Sequence, residues 1–379
     1  MKKLHLLVLS IGMATGFAAM AEPAVTMYGI LDGGLTVSKL QHQSAKVQMT
    51  NGNWLSNRWG LMGQEELGGG NSVFFKLEQG FNLSNGSEAT AGKAFNRETA
   101  LGLSGDWGKL GFGRFGGLSS DCGTFSILGG AAYSTSFSTI GNMYGAFYLT
   151  ERYNNSIAYV TPAFGGLQGH LMYSNGTDAD EEKWSHNSHY YGAGLTYNKD
   201  KLSIDVIYEL LDHKGAADQN KTRLLNLGAS YDFAAFKLFG AYEFAQHAAL
   251  PGIEFAEEKM AEAYNAGKAN NYHAFSLSTS VKAFGAEFMV QGQYVFGKNK
   301  NSGKLEEGWD KKFNAYSIGA GYLYNFSKRT LVYVQGAWGK AHKALNQAPG
   351  LSGWNTSVGL MHKKYSIHSI RADGILRWV

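Results

Sequence analysis

The chain is poor in the residues that usually hold an exported protein together or break a sheet. It has one cysteine, Cys122, so no internal disulfide can form. It has only 4 prolines in 379 residues, which leaves long strand ladders uninterrupted. Charged residues make up 17%, against roughly 25% in a typical soluble domain. Beyond the first twenty residues no apolar run reaches the ~20 residues that a transmembrane helix needs. The net charge of +4 is too balanced to suggest a nucleic-acid partner. These absences remove the disulfide-stapled, helix-spanning and nucleic-acid-binding classes together.

What is abundant is glycine, at 50 residues, and aromatic residues, at 13%. Lys2 and Lys3 precede an apolar stretch from Leu4 to Ala19, and Ala19-Met20-Ala21 forms a small-x-small cleavage pattern. Residues 1–21 therefore read as a secretory signal peptide. The remainder is strongly patterned at period two. In 225–233, Leu225, Leu227, Ala229, Tyr231 and Phe233 oppose Asn226, Gly228, Ser230 and Asp232. In 275–283, Phe275, Leu277, Thr279, Val281 and Ala283 oppose Ser276, Ser278, Ser280 and Lys282. In 202–210 the apolar face is Leu202, Ile204, Val206, Tyr208 and Leu210, and Ile207 breaks the polar face.

Sixteen such strands can be placed, the first at 24–38 and the last at 354–365. Their connections alternate strictly in length. Short turns such as Asp106-Trp107 and Lys199-Asp200 alternate with long polar loops at 39–53, 84–96, 118–151, 175–187, 211–221, 246–271, 298–312 and 340–353. Short turns at one end and long loops at the other are the plan of an up-and-down outer-membrane barrel. A soluble sandwich has no reason to sort its loops in this way. The expected fold is all-β: a sixteen-stranded antiparallel transmembrane barrel over 22–365, with an atypical tail at 366–379. A barrel of that size encloses water, so the expected function is a passive aqueous pore.

The long loop 118–151 is unusually apolar, with Ile127, Leu128, Phe137, Ile140 and Phe147. It is expected to fold onto the inner wall and narrow the lumen; an external cap or subunit contact is the alternative. Arg58, Arg97, Arg114 and Arg152 lie near strand starts or inside strands. On the lipid face near the bilayer centre each would cost about 2–4 kcal/mol, so they are expected to line the pore and favour anions. Asp121 and Glu151 are the candidate acids of the opposite side. Simple pairing of the arginines with carboxylates such as Glu65 or Glu66 is the plainer reading. No His pair at helical metal-binding spacing and no G-x-S-x-G element is present, so neither a metal nor another cofactor is called for. A substrate-specific barrel channel and a barrel-borne enzyme remain the rival functions.

Several segments, taken in order, resemble the general Gram-negative porins of the neisserial and β-proteobacterial type. Val25-Thr26-Met27-Tyr28-Gly29-Ile30-Leu31-Asp32 resembles the family's first strand, and Arg58-Trp59-Gly60-Leu61-Met62-Gly63-Gln64-Glu65-Glu66-Leu67-Gly68 its second strand and first turn. Arg97 to Leu103, Gly111 to Arg114, Arg152 to Tyr159 and Val358 to Lys363 follow later strands. The resemblance implies a homotrimer whose channels are narrowed by the third long loop, with constriction arginines at Arg58, Arg97 and Arg152. It also implies an outer-membrane setting, with lipid and lipopolysaccharide as neighbours and ions and small solutes as traffic. The family usually ends on a terminal Phe where Tyr365 stands here.

Overall fold

The computed structural model describes residues 24–41, 43–120, 123–128, 146–176, 183–214, 220–249, 270–300, 311–347 and 352–365. Residues 1–21, Asp121, Cys122 and residues 366–379 lie outside the described residues. The strands among those described are β1 Ala24–Leu40, β2 Lys46–Asn51, β3 Arg58–Gly68, β4 Asn71–Gly80, β5 Glu98–Gly105 and β6 Gly108–Gly116. They continue as β7 Arg152–Val160, β8 Leu167–Ser174, β9 His189–Lys199, β10 Leu202–Asp212, β11 Thr222–Asp232 and β12 Lys237–Ala248. The last are β13 Asn270–Ala283, β14 Ala286–Asn299, β15 Lys312–Asn325, β16 Thr330–Lys343 and β17 Gly353–Tyr365.

From β3 to β17 each strand pairs antiparallel with the next, and β17 returns to β1 from Tyr28↔Tyr365 to Leu40↔Gly353. The other edge of β1 is shared. Ala24 to Ile30 pair with β3, and Gly33 to Ser38 pair with β2. The result is a closed barrel of sixteen staves, β1 and β3–β17, as the strand count predicted. The difference is β2. It forms a hairpin with β1 inside the stretch expected to be a loop at 39–53.

Alternation decides which way each side chain points. In β13, Phe275 and Leu277 are exposed while Ser276, Ser278 and Ser280 are buried. In β10, Ile204, Val206 and Tyr208 are exposed while Asp205, Ile207 and Glu209 are fully buried. Ile207 is thus no break in the pattern, because it packs with an apolar cluster on the inner side. An apolar outer face this extensive would not stay monomeric in water, whereas it matches lipid. The turns at one end are tight. Phe284 and Gly285 both take positive φ, 53° and 75°, which gives the twist a two-residue hairpin needs.

Candidate functional site

The inner face of β3, β4 and β5 carries a compact set of charges. Arg58, Lys76, Glu78 and Glu98 occupy inward positions, flanked in the alternation by the exposed Trp59 and Leu101. Register brings Glu78 directly opposite Glu98. Two carboxylates side by side repel unless cations separate them. Lys76 Nζ lies 2.7 Å from Glu98 Oε2 and 3.8 Å from Glu78 Oε2. Arg97 Nε donates to Glu78 Oε1 at 2.7 Å, and an Arg58 guanidinium nitrogen lies 3.7 Å from the same oxygen. The Tyr28 hydroxyl donates to Glu78 Oε2 at 2.8 Å. Three bases face two acids, so the group keeps a positive excess. Lys109 adds to it from β6, with Nζ 4.3 Å from the centre of the Phe74 ring.

Arg114 and Arg152 meet where the ladder between β6 and β7 slips between Gly113 and Phe115. Arg114 Nε donates to the Asn96 carbonyl at 2.9 Å, and its guanidinium also reaches Asn154 Oδ1 at 2.7 Å and the Arg152 carbonyl at 3.4 Å. Asn96 precedes Arg97, so the Arg114 guanidinium lies beside the start of β5. Arg58 and Arg97 converge on Glu78. Arg114 shares the strand parity of the exposed Phe112 rather than that of Lys109, which sets it toward the outer side of the wall. Glu65 and Glu66, the partners suggested by nearness in sequence, sit exposed at the turn end of β3.

The described parts of 118–151 are bonded to barrel side chains. Glu209 Oε1 accepts from Ser119 N at 3.1 Å, from the Thr150 hydroxyl at 3.0 Å and from the Tyr190 hydroxyl at 2.5 Å. That same Tyr190 oxygen accepts from Leu118 N at 2.8 Å. Thr124 N donates to Glu98 Oε1 at 2.9 Å, and Tyr148 N to Glu243 Oε1 at 2.8 Å. Glycines on the wall leave space for apolar loop side chains. A Cβ on Gly192 would stand 3.0 Å from Leu118 Cδ1, and Cβ atoms on Gly111 and Gly194 would run into Phe125 and Ile127. Glu151 is exposed beside Arg152. Sequence reasoning missed Lys76, Glu78, Glu98, Glu209 and Glu243. The readable signal was a charged residue at an inward position of an amphipathic strand.

Comparison with known proteins then identifies the chain. The family profile described as Gram-negative porin matches residues 7–343. The chain belongs to that family. An outer membrane porin protein of Bordetella pertussis is 30% identical over 392 residues, covering 94% of this chain and 98% of its own length. Major outer membrane protein P.IB of Neisseria meningitidis is 26% identical, covering 91% of this chain and 95% of its own. Outer membrane porin protein 32 of Delftia acidovorans is 29% identical, covering 88% of each. Among solved structures, an anion-selective porin from Comamonas acidovorans has a TM-score of 0.66 at 23% identity, covering 90% of this chain and 100% of its own. These relatives are porins, which are channels rather than enzymes, and this porin is an integral β-barrel of the outer membrane.

The charge cluster makes a specific demand on stability. In Glu78→Gln, Arg58 and Arg97 lose the negative charge they share, and the barrel is expected to lose about 3 kcal/mol, the cost of breaking a buried ion pair from one side. Urea unfolding of the refolded porin in lipid vesicles measures it. Wild-type stability in that variant would contradict the arrangement of Arg58 and Arg97 around one carboxylate.

Proposed function

We propose that this porin passes ions and small hydrophilic solutes by passive diffusion, with a weak preference for anions. The observation that carries the reading is the positive excess on the inner wall of β3–β5, where Arg58, Lys76 and Arg97 face Glu78 and Glu98. Fixed positive charge inside a low-dielectric collar raises the local anion concentration and opposes cations. In this reading the segment 118–151 lies across the lumen and sets the size limit. The bonds of Ser119, Thr124, Tyr148 and Thr150 to side chains of β5, β10 and β12 support it. Asp121 and Glu151 supply the acidic side, so a transverse field orients polar solutes as they pass. Residues 1–21 act as the export leader.

A homotrimer belongs to the same reading. The exposed strand aromatics of β1–β8 are Trp59 and Phe112. Those of β9–β17 include Tyr191, Tyr208, Tyr294, Tyr316, Trp338 and Trp354. A lipid-facing wall wants an aromatic belt, and a wall facing another subunit does not. The V. cholerae outer membrane protein OmpT, described in a trimer form, shares the fold at a TM-score of 0.62 and 14% identity. Lipopolysaccharide is the proposed neighbour of the opposite wall. Lys298 of β14 stands opposite Lys312 of β15, and Lys340 of β16 stands opposite Tyr316. All three share the outward parity of the exposed Phe296, Tyr316 and Trp338, at the long-loop end just beyond those rings. Among the described residues Lys298, Lys312 and Lys340 make no ion pair, so these lysines are available to lipid phosphates.

Planar-bilayer recording under a salt gradient tests the channel reading. The wild type is expected to open in steps grouped in threes with an anion-favouring reversal potential. Replacing Arg58, Arg97 and Arg152 together by Gln is expected to move that potential toward zero or to cation preference. Unchanged selectivity in the triple variant, shown to be folded by heat-shifted migration, would remove the arginine wall from the account. For the lipid face, added lipopolysaccharide is expected to raise the melting temperature of the wild type but not of a variant with Lys298, Lys312 and Lys340 changed to Glu. An equal rise in both would place the lipid elsewhere.

A further inference from the structure

The ladder along β1 has a gap. Ile30 is the last residue paired with β3, and Gly33 is the first paired with β2. The chain from Gly52 to Asn57 crosses this gap without forming a strand. Its groups complete the edge. Asp32 N donates to Asn57 Oδ1 at 2.6 Å, while the Asp32 carbonyl accepts from Asn57 Nδ2 and Gly52 N, each at 3.0 Å. An amide side chain thus substitutes for the missing backbone partner, and Asp32 keeps its backbone bonds inside the wall.

The Asp32 side chain, fully buried, holds the same segment a second time. Its Oδ2 accepts from Trp54 N and Leu55 N, each at 2.7 Å, and its Oδ1 accepts from the Tyr333 hydroxyl at 2.7 Å. Trp54 and Leu55 then pack on Ile30, Leu331, Tyr333 and Met361. Each of these is an inward position, because Leu31, Val334 and Leu360 beside them in the alternation are exposed. The segment therefore rests on the lumen side of β16, β17 and β1. Gln335 Nε2 donates to the Asn53 carbonyl at 3.2 Å and fastens its start. Its end runs straight into the charge cluster. Arg58 Nε donates to the Ser56 carbonyl at 3.1 Å, and the Asn57 carbonyl accepts from Phe81 N at 3.3 Å.

We infer that residues 52–57 form a second constricting element of this porin, clamped by Asp32, and that the clamp positions Arg58 to set both conductance and selectivity. Asp32 is a positioning residue: it touches no solute and acts through the segment it holds. Two sides of the lumen are then shaped independently, one by 118–151 and one by 52–57. Ser56, exposed at the crest of the segment, is the side chain offered to the water of the pore.

The charge of Asp32 is not what the clamp needs; its acceptor oxygen is. In Asp32→Asn the amide oxygen can still accept from Trp54 N and Leu55 N, and the amide nitrogen can donate to the Tyr333 hydroxyl. Asp32→Ala loses all three bonds. In planar bilayers Asp32→Ala is expected to show higher single-channel conductance and a smaller anion preference than the wild type, and Asp32→Asn is expected to restore both. Should Asp32→Ala not fold, Ser56→Cys in a Cys122→Ala background decides. Labelling position 56 with a bulky methanethiosulfonate, confirmed by mass, is expected to cut the open-channel current. Wild-type conductance and selectivity in a folded Asp32→Ala, or a full current through the labelled Ser56→Cys channel, would overturn the inference. The inference rests on the channel reading, and a wild type that carries no current would sink that reading instead.

Discussion

Every part of this molecule depends on backbone hydrogen bonds that have no access to water. In the hydrocarbon of a bilayer an unpaired N–H or C=O costs several kcal/mol, so a sheet survives there only if it closes. The seam between β1 and β17 provides that closure over thirteen register pairs. Even the gap on the other edge of β1 is repaired, by the side chain of Asn57 and the amide of Gly52. Composition follows from the same constraint. Few prolines leave the ladder its donors, and an apolar outer face needs no polar partner.

Closure also decides what the inside must be. Sixteen staves enclose more space than their inward side chains can fill, so the interior holds water and charges. Charged residues tolerated there are those with partners. Glu78 gathers Arg58, Lys76, Arg97 and Tyr28 around one carboxyl group. Glu209 gathers Tyr190 of the wall with Ser119 and Thr150 of the long loop. Asp32 gathers two backbone amides and the Tyr333 hydroxyl. In the last two cases an acid on a rigid strand fixes a less regular segment to the wall.

Much of the barrel was legible from period two alone, because inward and outward residues of a lipid-facing strand differ so sharply in chemistry. Ile207 looked like an error in that pattern and is instead part of the inner apolar cluster. The hairpin strand β2 was not legible, since its short run of mixed residues falls within a stretch that reads as a loop. The cost of placing Arg58 and Arg97 in lipid pointed away from the outer face, but the acid they meet is Glu78. Glu65 and Glu66 are near Arg58 in sequence, but strand stagger places Arg58 opposite Gly80, beside Glu78. Register between strands is a property of closure, and no single strand carries it. The apolar character of 118–151 signalled that it needs a surface, whereas its anchors Glu209 and Glu243 are distant in sequence and became visible only through the fold.

The central claim is that the lumen is open water narrowed by folded-in chain. Liposome swelling with neutral sugars of increasing size tests it most directly, because neutral solutes report the opening without the wall charge. The account predicts fast swelling with small sugars and a steep fall as the sugars grow. A folded, heat-shifted barrel that admits no sugar of any size, or one that admits all of them alike, would contradict it.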